Sequence, residues 1–123
     1  MINYEEVLLI HNLAIEKFGG GSGVRDMKLL EAAINRPYAT FDQQELYPSP
    51  IEKSAALIES IVKNHPFSDG NKRTGYILMR LTLLKSGFDI EASEEEKYKF
   101  VIAIAEGKIE IDDIKLWIKN NLK

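Results

Sequence analysis

Residues 76–84, YILMRLTLL, carry apolar side chains around nearly the whole circumference of any helix they form. A helix with that pattern needs neighbours on every side, so it belongs at the centre of a domain. The remaining chain must supply those neighbours, and its punctuation says that they are helices. Asn3 with Glu6 has the spacing of a capping box, followed by Val7, Leu8, Ile10, Leu13, Ala14 and Phe18 at helical recurrence. Gly19-Gly20-Gly21 stops that helix. Asp26 caps a second one through Leu29, Leu30, Ala33 and Ile34, ended by Pro37. Ser49-Pro50-Ile51-Glu52 joins an N-cap, Pro at the first helical position and Glu at the third, opening a helix to about Asn64. The central helix runs from about Gly70 to Ser86 and is closed by Gly87. Ser93 with Glu96 opens another, to about Glu106, and Gly107 ends it. Asp112 is the expected cap of the last helix, which holds Ile114, Trp117, Ile118 and Leu122. Two stretches resist: Phe88 to Ala92 alternates as a short extended piece, and Tyr38 to Pro48 reads as a loop or a small hairpin. The expectation is an all-α single domain spanning residues 1–123.

Composition excludes several classes of function. Hydrophobic residues make up 45%, too many for a disordered chain. No uninterrupted apolar run reaches the roughly 18 residues of a membrane span, and the N-terminus has acids where a secretory signal needs positive charge. With no cysteine, disulfides and thiolate metal sites are impossible, and the cytoplasm is the expected compartment. The net charge of −3 argues against direct nucleic-acid binding, which needs a basic surface at domain scale.

The greasiest helix is preceded by a very polar loop, HPFSDGNKRTG, residues 65–75. Lys72 and Arg73 fall in the first helical turn, the end where the helix dipole disfavours cations. A bound anion, most naturally a phosphate group, resolves that conflict at the unpaired amides of the helix start. Gly70 lets a ligand approach the backbone closely. Asp69 is an oxygen ligand suited to Mg²⁺, which commonly binds one or two carboxylates plus substrate phosphates. His65 can accept a proton near neutral pH. Pro66 fixes the backbone between them, Phe67 is an apolar plug, and Asn71 either holds the loop or donates to a phosphate. The bland alternatives are a capping Asp69, solvated Lys72 and Arg73 and a His65 that only ends the preceding helix. All must hold together in one short loop for the cluster to mean nothing. Elsewhere, GGGSG (19–23) fits no phosphate-loop pattern and reads as a flexible helix stop, and His11 as a packed or surface histidine.

His65 to Gly75 resembles the signature of the Fic/Doc superfamily, in its death-on-curing branch. Phe18-Gly19-Gly20 with Gly23, the helix holding Leu30, Glu31 and Ala32, and Ala105-Glu106-Gly107 extend the resemblance over most of the chain. The resemblance implies a helical bundle in which the motif joins two central helices, and transfer of part of a nucleotide to a protein hydroxyl. It implies that His65 deprotonates the target hydroxyl, that Asp69 holds Mg²⁺, and that Gly70, Asn71, Lys72, Arg73 and Thr74 bind the phosphates of ATP. Residues 38–48 would correspond to a flap that holds the target by strand-like pairing. Two departures from the AMP-transferring pattern stand out. Lys72 replaces a Gly, and Tyr76 replaces a second Arg. The Lys-Arg-Thr run accompanies γ-phosphate transfer in the death-on-curing branch, so a kinase-like reaction is expected ahead of AMP transfer, with an inert partner-binding domain as the third reading. Self-restrained members carry a Ser or Thr followed four residues later by Glu; no Ser or Thr here has one. Restraint would then come from a small antitoxin, and the implied substrate is a translation protein, an elongation-factor GTPase being the family precedent.

Overall fold

The computed structural model describes residues 2–123. Among these residues six α-helices carry the fold: α1 (Tyr4–Phe18), α2 (Met27–Asn35), α3 (Pro50–Asn64), α4 (Asn71–Lys85), α5 (Glu94–Ala105) and α6 (Ile111–Asn120). A 3₁₀ turn over Arg36–Tyr38 leads into a two-stranded ribbon, β1 (Thr40–Phe41) and β2 (Gln44–Glu45). This is the all-α bundle expected, and residues 38–48 contain the small hairpin. Its antiparallel register pairs Thr40 with Glu45 and Phe41 with Gln44. Asp42 (φ 50°) and Gln43 (φ 66°) both take left-handed conformations, as a two-residue turn of this twist requires.

Helix starts follow local chemistry. Asn3 accepts from the Glu6 amide at 2.8 Å, Asp26 from Leu29 at 3.1 Å, Ser49 from Glu52 at 3.1 Å and Ser93 from Glu96 at 3.1 Å. The last helix is the exception. It begins one residue after Glu110, whose amide donates to the Asp113 carboxylate at 3.0 Å. Asp112 therefore lies within the first turn, where its charge suits the dipole, and is not the cap. Residues 88–92 supply one bridge, Ile90 to Leu122, which ties the C-terminus down.

The centre of the molecule is shared differently from the sequence expectation. α4 packs in the core through Leu78, Met79 and Leu83, yet it leaves Arg80 and Leu84 exposed. α3 is the more enclosed helix, buried continuously from Ser54 to Val62. One side of α3 (Ala55, Ile58, Val62) packs with Met79, Phe100, Ile104, Ile114 and Ile118; the other (Leu57, Ile61) packs with Val7, Leu30, Ala33 and Phe67. Small residues allow this: Ser54, Ala55, Ala56 and Ser60 let neighbours close in, and buried Glu59 is paired with Arg36 at 2.9 Å. α3 and α4 approach so closely that a Cβ on Gly75 would lie 2.9 Å from Val62 Cγ2. The motif loop bridges these two helices.

Candidate functional site

The loop is shaped first by the end of α3. His65 is its C-cap, in the left-handed region at φ 50°, ψ 58°. A residue with a Cβ pays roughly 1 kcal/mol or more there and stays only where it is held. Arg25 holds it, donating from Nε to the His65 carbonyl at 2.7 Å and from Nη2 to the Asn64 carbonyl at 2.8 Å. The cation also faces the negative end of the α3 dipole. The Pro66 carbonyl accepts from the amides of Arg25 and Asp26 at 2.8 and 3.0 Å. The His65 ring is left exposed on the surface of this anchored turn.

Phe67 is fully buried and stacks on His11, with ring centroids 3.9 Å apart and planes 6° apart. The Asn71 carboxamide clamps it, accepting from the Phe67 amide at 2.9 Å and donating to its carbonyl at 3.0 Å. Of the two roles considered for Asn71, the side chain is thus committed to holding the loop, and only its backbone amide remains for a ligand. Thr74 is placed differently from the motif residues Lys72 and Arg73. Its side chain is wholly buried, and its hydroxyl has no hydrogen-bond partner among the described residues.

Asp69 is exposed and firmly held. Its Oδ2 accepts from the Gly21 amide at 3.1 Å and its Oδ1 from the Gly70 amide at 2.8 Å. Those two amides, helped by the Lys72 charge, hold the carboxyl below the usual aspartate range. The 19–23 run is therefore more than a flexible stop. It wraps the motif, with Gly23 accepting from the Ser68 amide at 3.0 Å. A Cβ on Gly20 would fall 2.8 Å from Asp69 Oδ2, so the wrap demands glycine. Sequence reasoning missed this contact and those of Arg25 and His11; the glycine run was the one visible signal.

Gly70 begins α4 at φ 76°, and no side chain caps the helix. The first intrahelical bond runs from the Thr74 amide to the Gly70 carbonyl, so the amides of Asn71, Lys72 and Arg73 have no acceptor within the helix. Lys72 and Arg73 are exposed beside them, and the Arg73 guanidinium sits 3.9 Å above the Phe18 ring. These groups line one end of an open cleft of about 780 Å³, together with His65 and Asp69. The cleft continues between α4 and α5 past Tyr76, Ile77, Tyr98 and Val101. Burial pushes the Tyr76 phenol up to about 12, so it stays neutral where the AMP-transferring pattern has a cation. Arg80, further along, is paired with Asp89 at 2.7 and 3.0 Å.

The donor set suits one kind of metal. Among the described residues, no three His, Cys, Asp or Glu side chains converge, so no all-protein cage exists. A single exposed carboxylate beside the uncapped, cationic start of α4 fits a Mg²⁺ ion that would arrive with a nucleotide and take its other ligands from phosphate and water. No helix among the described residues is long and apolar enough to cross a membrane.

Comparison with known proteins places the chain in a family. Residues 1–83 match the Fic/DOC family. The chain is 38% identical over 100 residues to Toxin Doc of Mycolicibacterium smegmatis, covering 76% of this chain and 75% of that protein. It is 29% identical over 113 residues to Protein kinase doc of Escherichia phage P1, covering 92% of this chain and 88% of the phage protein. A shorter match, 43% identical over 47 residues, is to Protein adenylyltransferase fic-1 of Caenorhabditis elegans, covering 38% of this chain and 9% of that protein. The chain belongs to the Fic/DOC family.

Proposed function

We propose that this protein moves the γ-phosphate of a nucleoside triphosphate, with ATP as donor, onto a Ser or Thr hydroxyl of a translation-related protein. The observation that carries the proposal is the shared cleft: an exposed imidazole, a held carboxylate and the uncapped, cationic start of α4 face one space. His65 takes the proton of the target hydroxyl, whose oxygen bonds to the γ-phosphorus as the bond to the β-phosphate oxygen breaks. The nucleoside diphosphate leaves with the electron pair, and the imidazolium returns its proton to water. The amides of Asn71 and Lys72, with the Lys72 and Arg73 charges, stabilise charge that develops on the transferring group. Mg²⁺ held by Asp69 would supply charge neutralisation on the phosphate oxygens. The exposed hairpin, with Phe41 at its edge, would align the target segment by strand pairing.

Two features favour phosphate over AMP transfer. Neutral Tyr76 and bulky Lys72 change the part of the cleft where the AMP pattern grips the outer phosphates, and the relative named a kinase is matched along 92% of this chain. A small antitoxin is the expected restraint, in keeping with the toxin name of one relative. The test is incubation with ATP and extract, followed by intact mass of the modified protein. A phosphate-sized increment supports the proposal. A nucleotide-sized increment replaces it with AMP transfer, and no increment from folded, partner-free protein removes both.

A further inference from the structure

A second histidine lies beneath the motif. His11, in the middle of α1, is 1% exposed, and its Nε2 is 2.8 Å from the Asp69 backbone carbonyl. A carbonyl oxygen only accepts, so Nε2 carries the proton and the ring is a donor at this contact. Packing alone does not call for that group. A phenylalanine would fill the same stack on Phe67 without burying polar nitrogen atoms. The hydrogen bond adds a grip on the peptide between Asp69 and Gly70. The carboxylate end of the same residue is gripped by the Gly21 amide at 3.1 Å. Ile15, one turn beyond His11, closes the remaining gap: a Cβ on Gly70 would lie 3.1 Å from its Cδ1. Main chain and side chain of Asp69 are thus both set from α1 and its glycine stop, 58 and 48 positions away in sequence.

We propose that α1 and its glycine stop form a positioning device for Asp69, with His11 as its positioning residue. His11 orients the Asp69–Gly70 peptide, and through it both the carboxylate and the first free amides of α4. It touches neither nucleotide nor target.

His11→Phe keeps the ring, the stack and the core volume and deletes the donor. His11→Gln keeps an N–H donor and loses the stack. The experiment uses the full chain with a non-hydrolysable ATP analogue. Mn²⁺ affinity is followed by electron paramagnetic resonance, amide exchange over residues 67–75 by mass spectrometry, and folding by the thermal transition. His11→Phe should stay folded, bind Mn²⁺ about tenfold more weakly and exchange faster over 67–75. His11→Gln should fall between it and the parent in Mn²⁺ affinity. In an Asp69→Asn background, His11→Phe should change Mn²⁺ affinity no further. Parental metal affinity and parental exchange in folded His11→Phe overturn the proposal, as does a His11→Gln protein no better than His11→Phe. The metal readout rests on the proposed function and the exchange readout does not. If the parent itself binds no Mn²⁺, the metal reading fails while exchange still decides the role of His11.

Discussion

α3 and α4 are both 15 residues long and pack against each other in the same core, yet they begin in opposite ways. α3 starts with Ser49 accepting from the Glu52 amide, Pro50 at the first position and an acid in the first turn. The cap, the proline and the acid each follow a rule of a stable helix start. α4 starts at a left-handed Gly70 with no side-chain cap, no acid in its first turn and two cations beside its free amides. The opposite ends differ as well, since α3 finishes on the left-handed His65 that faces the same cleft. Stability decides the first turn of α3. At the junction of α3 and α4 those local rules are broken, and the proposed function gives the reason: an anion site and an exposed imidazole.

Four substitutions break or sharpen that contrast. The largest effect is expected at the junction. His65→Gly removes the proposed general base and should slow transfer by about 10²–10⁴-fold. The same change relieves a left-handed Cβ, so stability should hold or rise by up to about 1 kcal/mol in chemical denaturation. A large loss of stability would mean that the His65 ring is structural. Lys72→Gln should weaken nucleotide binding by about tenfold, roughly the 1.4 kcal/mol of one lost charge-assisted contact. It should also stabilise the fold by about 0.3 kcal/mol, because the cation opposes the dipole. Equal nucleotide affinity in calorimetric titration would show that α4 starts badly for no ligand. Ser49→Ala makes the reverse test at α3: stability should fall by about 1 kcal/mol, with nucleotide affinity unchanged.

The smallest effect concerns pH, at the far end of the cleft. The bidentate bond from Arg80, then the Ile90 amide, lowers the Asp89 pKa to about 2. A carboxyl depressed on folding contributes stability that is full above its ordinary pKa near 4 and is lost as pH falls through about 2. The melting-temperature difference between the parent and Asp89→Asn should therefore be present at neutral pH and vanish only below pH 2. A difference that persists there would mean the pair acts by packing alone.

Helix starts were legible because a cap is an exchange between residues three apart. Asn3, Asp26, Ser49 and Ser93 all cap as their spacing predicts. The last start was displaced from Asp112 to Glu110, because DD and E within four residues offer several acids of similar capping value. The motif was also legible, since its residues stand within one loop. The inward turn of Thr74 was not, and neither was the commitment of the Asn71 carboxamide to Phe67. Both depend on which way the first turn of α4 faces, and packing against α3 decides that.

Local sequence determined that the chain is helical, where most helices begin, and that one polar loop meets the core at a helix start. Tertiary structure alone decided that α3 is the most enclosed helix, that Arg25 secures His65, and that His11 and Gly21 secure Asp69. The reason is distance along the chain. Caps and periodicity act over three or four residues, whereas these holds join positions 40 to 58 apart and exist only once the core has closed.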